Sequence, residues 1–110
     1  MSIARKNTKF TQNQITQAFK SARTALARPG IHLMLSPKQK DFGRILIIAS
    51  RKVGNAAVRN RLKRRLKSIF YENSLFEQPF DCIVILKPTA QESDFQELHQ
   101  YLMQAYNKHA

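Results

Sequence analysis

Arg51 to Phe70 read RKVGNAAVRNRLKRRLKSIF, twenty positions with eight Lys or Arg and no Asp or Glu. Like charges at this density repel, and such a run usually marks a solvated tail or face. The order of the apolar residues decides what this one is. Val58, Leu62, Leu66, Ile69 and Phe70 fall at i, i+4, i+8, i+11 and i+12, one stripe at helical period. The spacing predicts a helix over about residues 55–72. At ~100° per residue, Asn60, Arg61, Lys63, Arg64 and Lys67 fall opposite the stripe, while Arg59 and Arg65 flank it. The charge therefore belongs to one face of an amphipathic helix whose other face is anchored in a core.

Working outward, RILIIAS (Arg44–Ser50) precedes this helix and FDCIVILKP (Phe80–Pro88) follows it. The first is a near-continuous apolar run, the composition of a strand buried on both faces, and the second reads as another strongly apolar strand. A strand–helix–strand unit of this length pairs its strands in parallel. Upstream, Thr11 and Gln14 have capping-box spacing, and Ile15, Ala18, Phe19 and Ala22 recur at helical period. That first helix is expected to end before Arg28-Pro29-Gly30, where regular structure is interrupted. IHLMLS (Ile31–Ser36) reads as a strand and PKQKDFG as a turn. Downstream, Ser93 with Gln96 forms a second capping-box pattern, with Asp94 and Glu97 in the first turn, and Phe95, Leu98, Leu102 and Tyr106 give the last helix its stripe. The order helix, strand, strand, basic helix, strand, helix implies an α+β fold, a two-layer sandwich of a small mixed sheet with helices. The 110 residues suit a single domain, 1–110.

Charge is unevenly spread. Of 19 Lys and Arg, 17 lie in residues 1–71 with one acid, Asp41, whereas residues 72–110 hold two basic residues and six acids. The net charge of +12 thus has a direction, toward a polyanion on the first two thirds of the chain. Nucleic acid fits better than an anionic membrane. The longest apolar run, Ile45 to Ala49, is far short of the ~20 residues of a span. MSIARKNTKF lacks the apolar region of a secretory signal, so a cytosolic protein is expected. Composition leaves open whether the basic residues 1–9 are ordered without RNA.

No catalytic set assembles. His32, His99 and His109 stand on a strand, on the last helix and at the terminus, without a carboxylate at a telling spacing. The late acids are scattered, which disfavours a metal cluster, and the one cysteine, Cys82, reads as a core residue. Neither a Walker loop nor G-x-G-x-x-G is present. The basic helix, by contrast, suits phosphate. Arg supplies a planar fork of donors and Lys a point charge, and Arg61, Arg64 and Lys67 are spaced ~5 Å apart along the axis. Asn60 can donate and accept, to a base, a 2′-hydroxyl or the backbone.

At these residues the chain resembles the protein subunit of bacterial ribonuclease P. That family has a basic helix introduced by a Lys-Lys-x-Gly-x-Ala-type lead-in and centred on Arg-Asn-Arg, then Lys-Arg. The matching positions are Arg51-Lys52, Gly54, Ala56, Arg59-Asn60-Arg61 and Lys63-Arg64. FTQNQITQAF (Phe10–Phe19) is similar to the family's first helix, and RILIIAS and ILKP to its strands before and after the basic helix. The resemblance covers nearly the whole chain.

It implies an α+β sandwich whose crossover through the basic helix is left-handed, against the usual right-handed rule. It implies that the RNA subunit carries catalysis, hydrolysing precursor tRNA to free the mature 5′ end with Mg²⁺ bound mainly by RNA. The protein would bind that RNA through Arg51, Lys52, Arg59, Asn60, Arg61, Lys63, Arg64 and Lys67. The single-stranded 5′ leader would lie in a cleft lined by Ile15, Phe19 and Met34. A monomeric protein in a 1:1 complex with the RNA, in the bacterial cytoplasm, is expected. Where the family often has aromatics, this chain has Ile15 and Met34, so leader binding would rest more on shape and charge, with Phe19 the remaining aromatic. Size, charge and the basic helix alone suit a ribosomal or other structural RNA-binding protein equally well. A DNA-binding module lacks helix-turn-helix spacing here.

Overall fold

The computed structural model describes residues 8–109; Met1 to Asn7, part of the segment whose order composition left open, lie outside the described residues. Thr11 caps α1 (Gln12–Ser21), and its hydroxyl and the Gln14 side chain satisfy each other's backbone N–H groups in the expected capping box. Three strands follow, β1 (Arg23–Arg28), β2 (Ile31–Pro37) and β3 (Ile45–Ala49), then a short 3-10 turn at Arg51–Val53. The basic helix α2 spans Ala56–Glu72, capped by Asn55, whose side chain accepts the Val58 N–H at 2.9 Å. β4 (Phe80–Leu86) and α3 (Phe95–His109) complete the order.

The sheet order is β1-β2-β4-β3. β2 pairs antiparallel with both β1 and β4, and β3 pairs parallel with β4 through the α2 crossover. This is the expected mixed sheet in an α+β sandwich. Side chains alternate across it. Ile31, Leu33 and Leu35 of β2 and Cys82, Val84 and Leu86 of β4 enter one core with Leu62, Leu66, Ile69 and Phe70 of α2 and Leu98, Leu102, Ala105 and Tyr106 of α3. The rings of Phe70 and Tyr106 meet edge-on at 6.5 Å, joining the two helices. His32, Met34, Asp81 and Ile83 alternate onto the opposite face, and α1 packs against β2 there. Ala18 is its one fully buried side chain.

Four expectations are corrected. The stretch from Arg23 to Arg28 is a strand, because α1 stops at Ser21 and the chain turns at Pro29-Gly30 to pair Arg28 with Ile31. Gly30 has φ +90°, and a Cβ there would lie 2.6 Å from the Thr89 hydroxyl, so only glycine makes this turn without strain. β3 is an edge strand and not buried on both faces; Ile48 is 38% exposed. β4, paired on both sides, is the doubly buried one. The last helix is capped by Asp94, not Ser93: Asp94 Oδ1 accepts the Glu97 N–H at 2.8 Å and Glu97 reaches back to the Asp94 N–H at 3.4 Å. Phe95 is 40% exposed and outside the core stripe. No described helix is long and apolar enough to cross a membrane.

Candidate nucleic-acid interface

Leu62, Leu66, Ile69 and Phe70 are fully buried, so the predicted stripe is what holds α2 on the sheet. At ~25 cal/mol per Å² of apolar surface, each such side chain contributes about 1.5–3 kcal/mol. The anchoring fixes the opposite face outward. Asn60, Arg61, Arg64 and Lys67 are exposed, as are Arg51 and Lys52 on the preceding 3-10 turn; Arg59 and Lys63 are half-buried. Arg65, predicted at the margin, is half-buried and donates to the Ser93 carbonyl at 3.4 Å.

Electrostatically the helix is built against its own interest. Its first turn holds no acid and its last turn no base, so nothing in α2 uses the dipole favourably. Among the described residues, no carboxylate pairs with Arg51, Lys52, Arg61, Lys63, Arg64 or Lys67. A solubility surface would interleave acids at i−4. This face instead presents uncompensated cations on a rigid support, the arrangement that binds a polyanion.

The structure gathers some of these residues more tightly than others. Asn60, Lys63, Arg64 and Lys67, with Ala57, line an open groove of about 530 Å³. Lys63 and Lys67 also wall a second cavity of about 410 Å³ over the free edge of β3, completed by Ile45, Leu46, Ile47, Tyr71 and Thr8 to Phe10. Arg51, Lys52, Arg59 and Arg61 line neither. The Arg59 Nε is buried without a hydrogen-bond partner.

Ile15 and Phe19 sit one turn apart on α1, Ile15 half-buried and Phe19 38% exposed. Met34, half-buried, pairs in register with Ile83 on the sheet face toward α1. Beyond α1 that face continues through His32 and Ile85 to the exposed Ile48 at the β3 edge. The result is an apolar floor with one helical wall. His32 Nε2 lies 2.8 Å from the Thr24 hydroxyl, a local structural bond. His99 is half-buried on α3, and the His109 side chain lies outside the described residues.

One constellation was missed from the sequence. Arg44, 0% exposed, donates from Nη1 to the Lys9 carbonyl at 2.8 Å and to Gln14 Oε1 at 3.1 Å, and from Nη2 to Gln39 Oε1 at 2.8 Å. Its guanidinium stacks 3.8 Å from the centre of the Phe10 ring. Asp81, equally buried, accepts the Arg44 backbone N–H at 2.8 Å and faces Nη2 at 4.0 Å. Burial lowers the Arg44 pKa and raises that of Asp81, so desolvation outweighs their mutual attraction. The available signal was charge at the heads of two apolar strands, RILIIA and FDCIVIL.

The described residues include no group of three or more His, Cys, Asp or Glu able to hold a metal ion. A resident magnesium site does not fit this surface, since α2 offers cations where the ion requires carboxylate or carbonyl oxygens.

The sequence profile described as Ribonuclease P matches residues 4–110. The chain belongs to the ribonuclease P protein family. It is 31% identical over 109 residues to the ribonuclease P protein component of Bacillus pumilus, covering 98% of this chain and 92% of that one. It is 38% identical over 87 residues to that of Erythrobacter litoralis, covering 76% and 70%. The fold is similar to that of the Thermotoga maritima RNase P protein, with TM-score 0.78 at 24% identity over 96% of this chain and 99% of that one. It is also similar to the Staphylococcus aureus RNase P protein, with TM-score 0.77 at 21% identity, covering 91% and 92%. Membership in the ribonuclease P family makes this an RNA-binding protein of tRNA processing, acting in a ribonucleoprotein.

Proposed function

We propose that this chain is the single-domain protein subunit of a bacterial ribonuclease P, one copy per catalytic RNA, acting in the cytoplasm. The α2 face binds the RNA subunit through phosphate contacts from Arg51, Lys52, Arg59, Arg61, Lys63, Arg64 and Lys67, with Asn60 placed to hydrogen-bond. The 5′ leader of precursor tRNA lies on the sheet face beside α1, against Ile15, Phe19 and Met34. The RNA subunit performs the phosphodiester hydrolysis, and Mg²⁺ is held by RNA and substrate; the α2 face offers cations rather than the oxygen ligands the ion takes. What the chain contributes is neutralisation of RNA charge and a place for the leader.

The observation that carries this reading is the uncompensated, rigidly anchored cationic face of α2 in a chain that matches the ribonuclease P profile from residue 4 to 110. The test is cleavage of a precursor tRNA by a bacterial ribonuclease P RNA at low Mg²⁺, with and without the protein. A marked gain in cleavage at the mature 5′ end is expected. Intact RNA binding with no gain refutes the subunit role.

A further inference from the structure

α1 has little apolar hold on the sheet. It is ten residues long, and only Ala18 is fully buried. What ties its start in place is polar. Arg44 bonds the Lys9 carbonyl in the chain leading into α1, Gln14 in its first turn, and Gln39 in the β2–β3 connection. Gln39 closes the ring by donating from its amide to the Gln14 carbonyl at 2.8 Å. The Phe10 ring lies over the guanidinium, and Asp81 fixes the Arg44 backbone to the head of β4. One residue therefore joins the chain before α1, α1 itself, the loop and β4.

We propose that Arg44 is the positioning residue of the leader cleft. It sets where α1 rests on the sheet, and so how far Ile15 and Phe19 stand from Met34. Fully buried, it cannot touch RNA and acts through α1 and the segments it ties to it. The inference rests on the reading of that cleft as the leader site. It separates two functions that share one small fold: the α2 face, anchored by the apolar core, takes the RNA subunit independently of Arg44, whereas leader binding depends on it. Lys in its place keeps the charge but loses the fork that reaches three acceptors at once.

The experiment compares wild type, Arg44→Met, Arg44→Lys and Gln39→Ala, each assembled with ribonuclease P RNA after a thermal melt has established folding. Two affinities are measured: that of the protein for the RNA subunit alone, and that of the complex for a precursor tRNA with and without its leader. The leader-dependent gain should fall about tenfold in Arg44→Met and about threefold in Gln39→Ala, with Arg44→Lys between them, as misplaced contacts predict. Affinity for the RNA subunit should stay within roughly twofold of wild type, as independent sites predict. An unchanged leader-dependent gain overturns the proposal, as does a parallel loss of both affinities. Gln39 is an exposed loop residue, so its variant decides the question if Arg44→Met does not fold. A wild-type complex that gains nothing from the leader overturns the cleft reading itself, and the inference with it.

Discussion

Replacing Arg61, Arg64 and Lys67 together by Ala tests the cationic face most directly. Arg51, Lys52, Arg61, Arg64 and Lys67 are exposed and Arg59 and Lys63 half-exposed, so seven cations can each displace a counterion from RNA. At 0.7–0.9 counterions per phosphate contact, the slope of log K against log salt is about −5 to −6, and affinity falls roughly 10³- to 10⁴-fold between about 50 and 200 mM salt. Loss of three contacts brings the slope to about −3 to −4. All three side chains are exposed and pair with no carboxylate among the described residues, so stability should change by no more than about 0.5 kcal/mol each. The assay is titration of the protein against ribonuclease P RNA over a salt series at fixed Mg²⁺, with Lys108→Ala as the control, since this exposed lysine lies on α3 and not on α2. A triple variant whose slope stays within one unit of wild type, or a control that loses as much slope, refutes the assignment of RNA binding to α2.

Leu66→Ala removes a fully buried anchor of α2 and should cost about 2–5 kcal/mol in denaturant unfolding; a cost under about 1 kcal/mol would mean the apolar stripe does not hold the helix. Phe19→Ala, at a 38% exposed position, should weaken leader-containing substrate by about 1–3 kcal/mol if a base stacks on the ring, with little change in melting temperature; equal losses for leaderless tRNA would contradict this. Burial pushes the Cys82 thiol from near 9 up to about 12 and raises Tyr106 as well. Both stay neutral in the fold while the unfolded chain ionises, so the stability they contribute is complete below pH 9 and is lost as pH rises toward 12. From pH 9 to 10.5 the wild type should lose about 2 kcal/mol more than Cys82→Ala, measured by urea unfolding at each pH; parallel pH profiles would exclude the thiol.

The elements legible in the sequence were those whose residues pattern themselves. α2 follows from a five-residue stripe, the start of α1 from Thr11 and Gln14, and β3 and β4 from apolar runs long enough to need burial. β1 was not legible. Arg-Thr-Ala-Leu-Ala-Arg has good helix formers and one buried residue, Ala25; its extended form comes from pairing with β2 across the turn at Gly30, and tertiary pairing overrides weak propensity. The one-residue shift of the last helix cap has a similar cause. Ser93 and Asp94 both offer an oxygen, and only the geometry of the preceding turn selects Asp94. The cationic face of α2 was readable because its residues form a local pattern on one helix, whereas Ile15, Phe19 and Met34 could be grouped only through the family resemblance.

The sequence by itself determined that a charged helix face would be held rigidly outward, because the apolar spacing that buries Leu62, Leu66 and Ile69 leaves Arg61, Arg64 and Lys67 no other direction. It likewise determined the polyanion partner, through seventeen cations against one acid in residues 1–71. Only the tertiary structure decided which strand is central and which an edge, and what fixes α1 over the sheet. Arg44 and Asp81 are 37 residues apart and meet because β3 and β4 pair in parallel with the register Ile45 to Cys82. Contacts between distant segments depend on strand order and register, which no local period encodes.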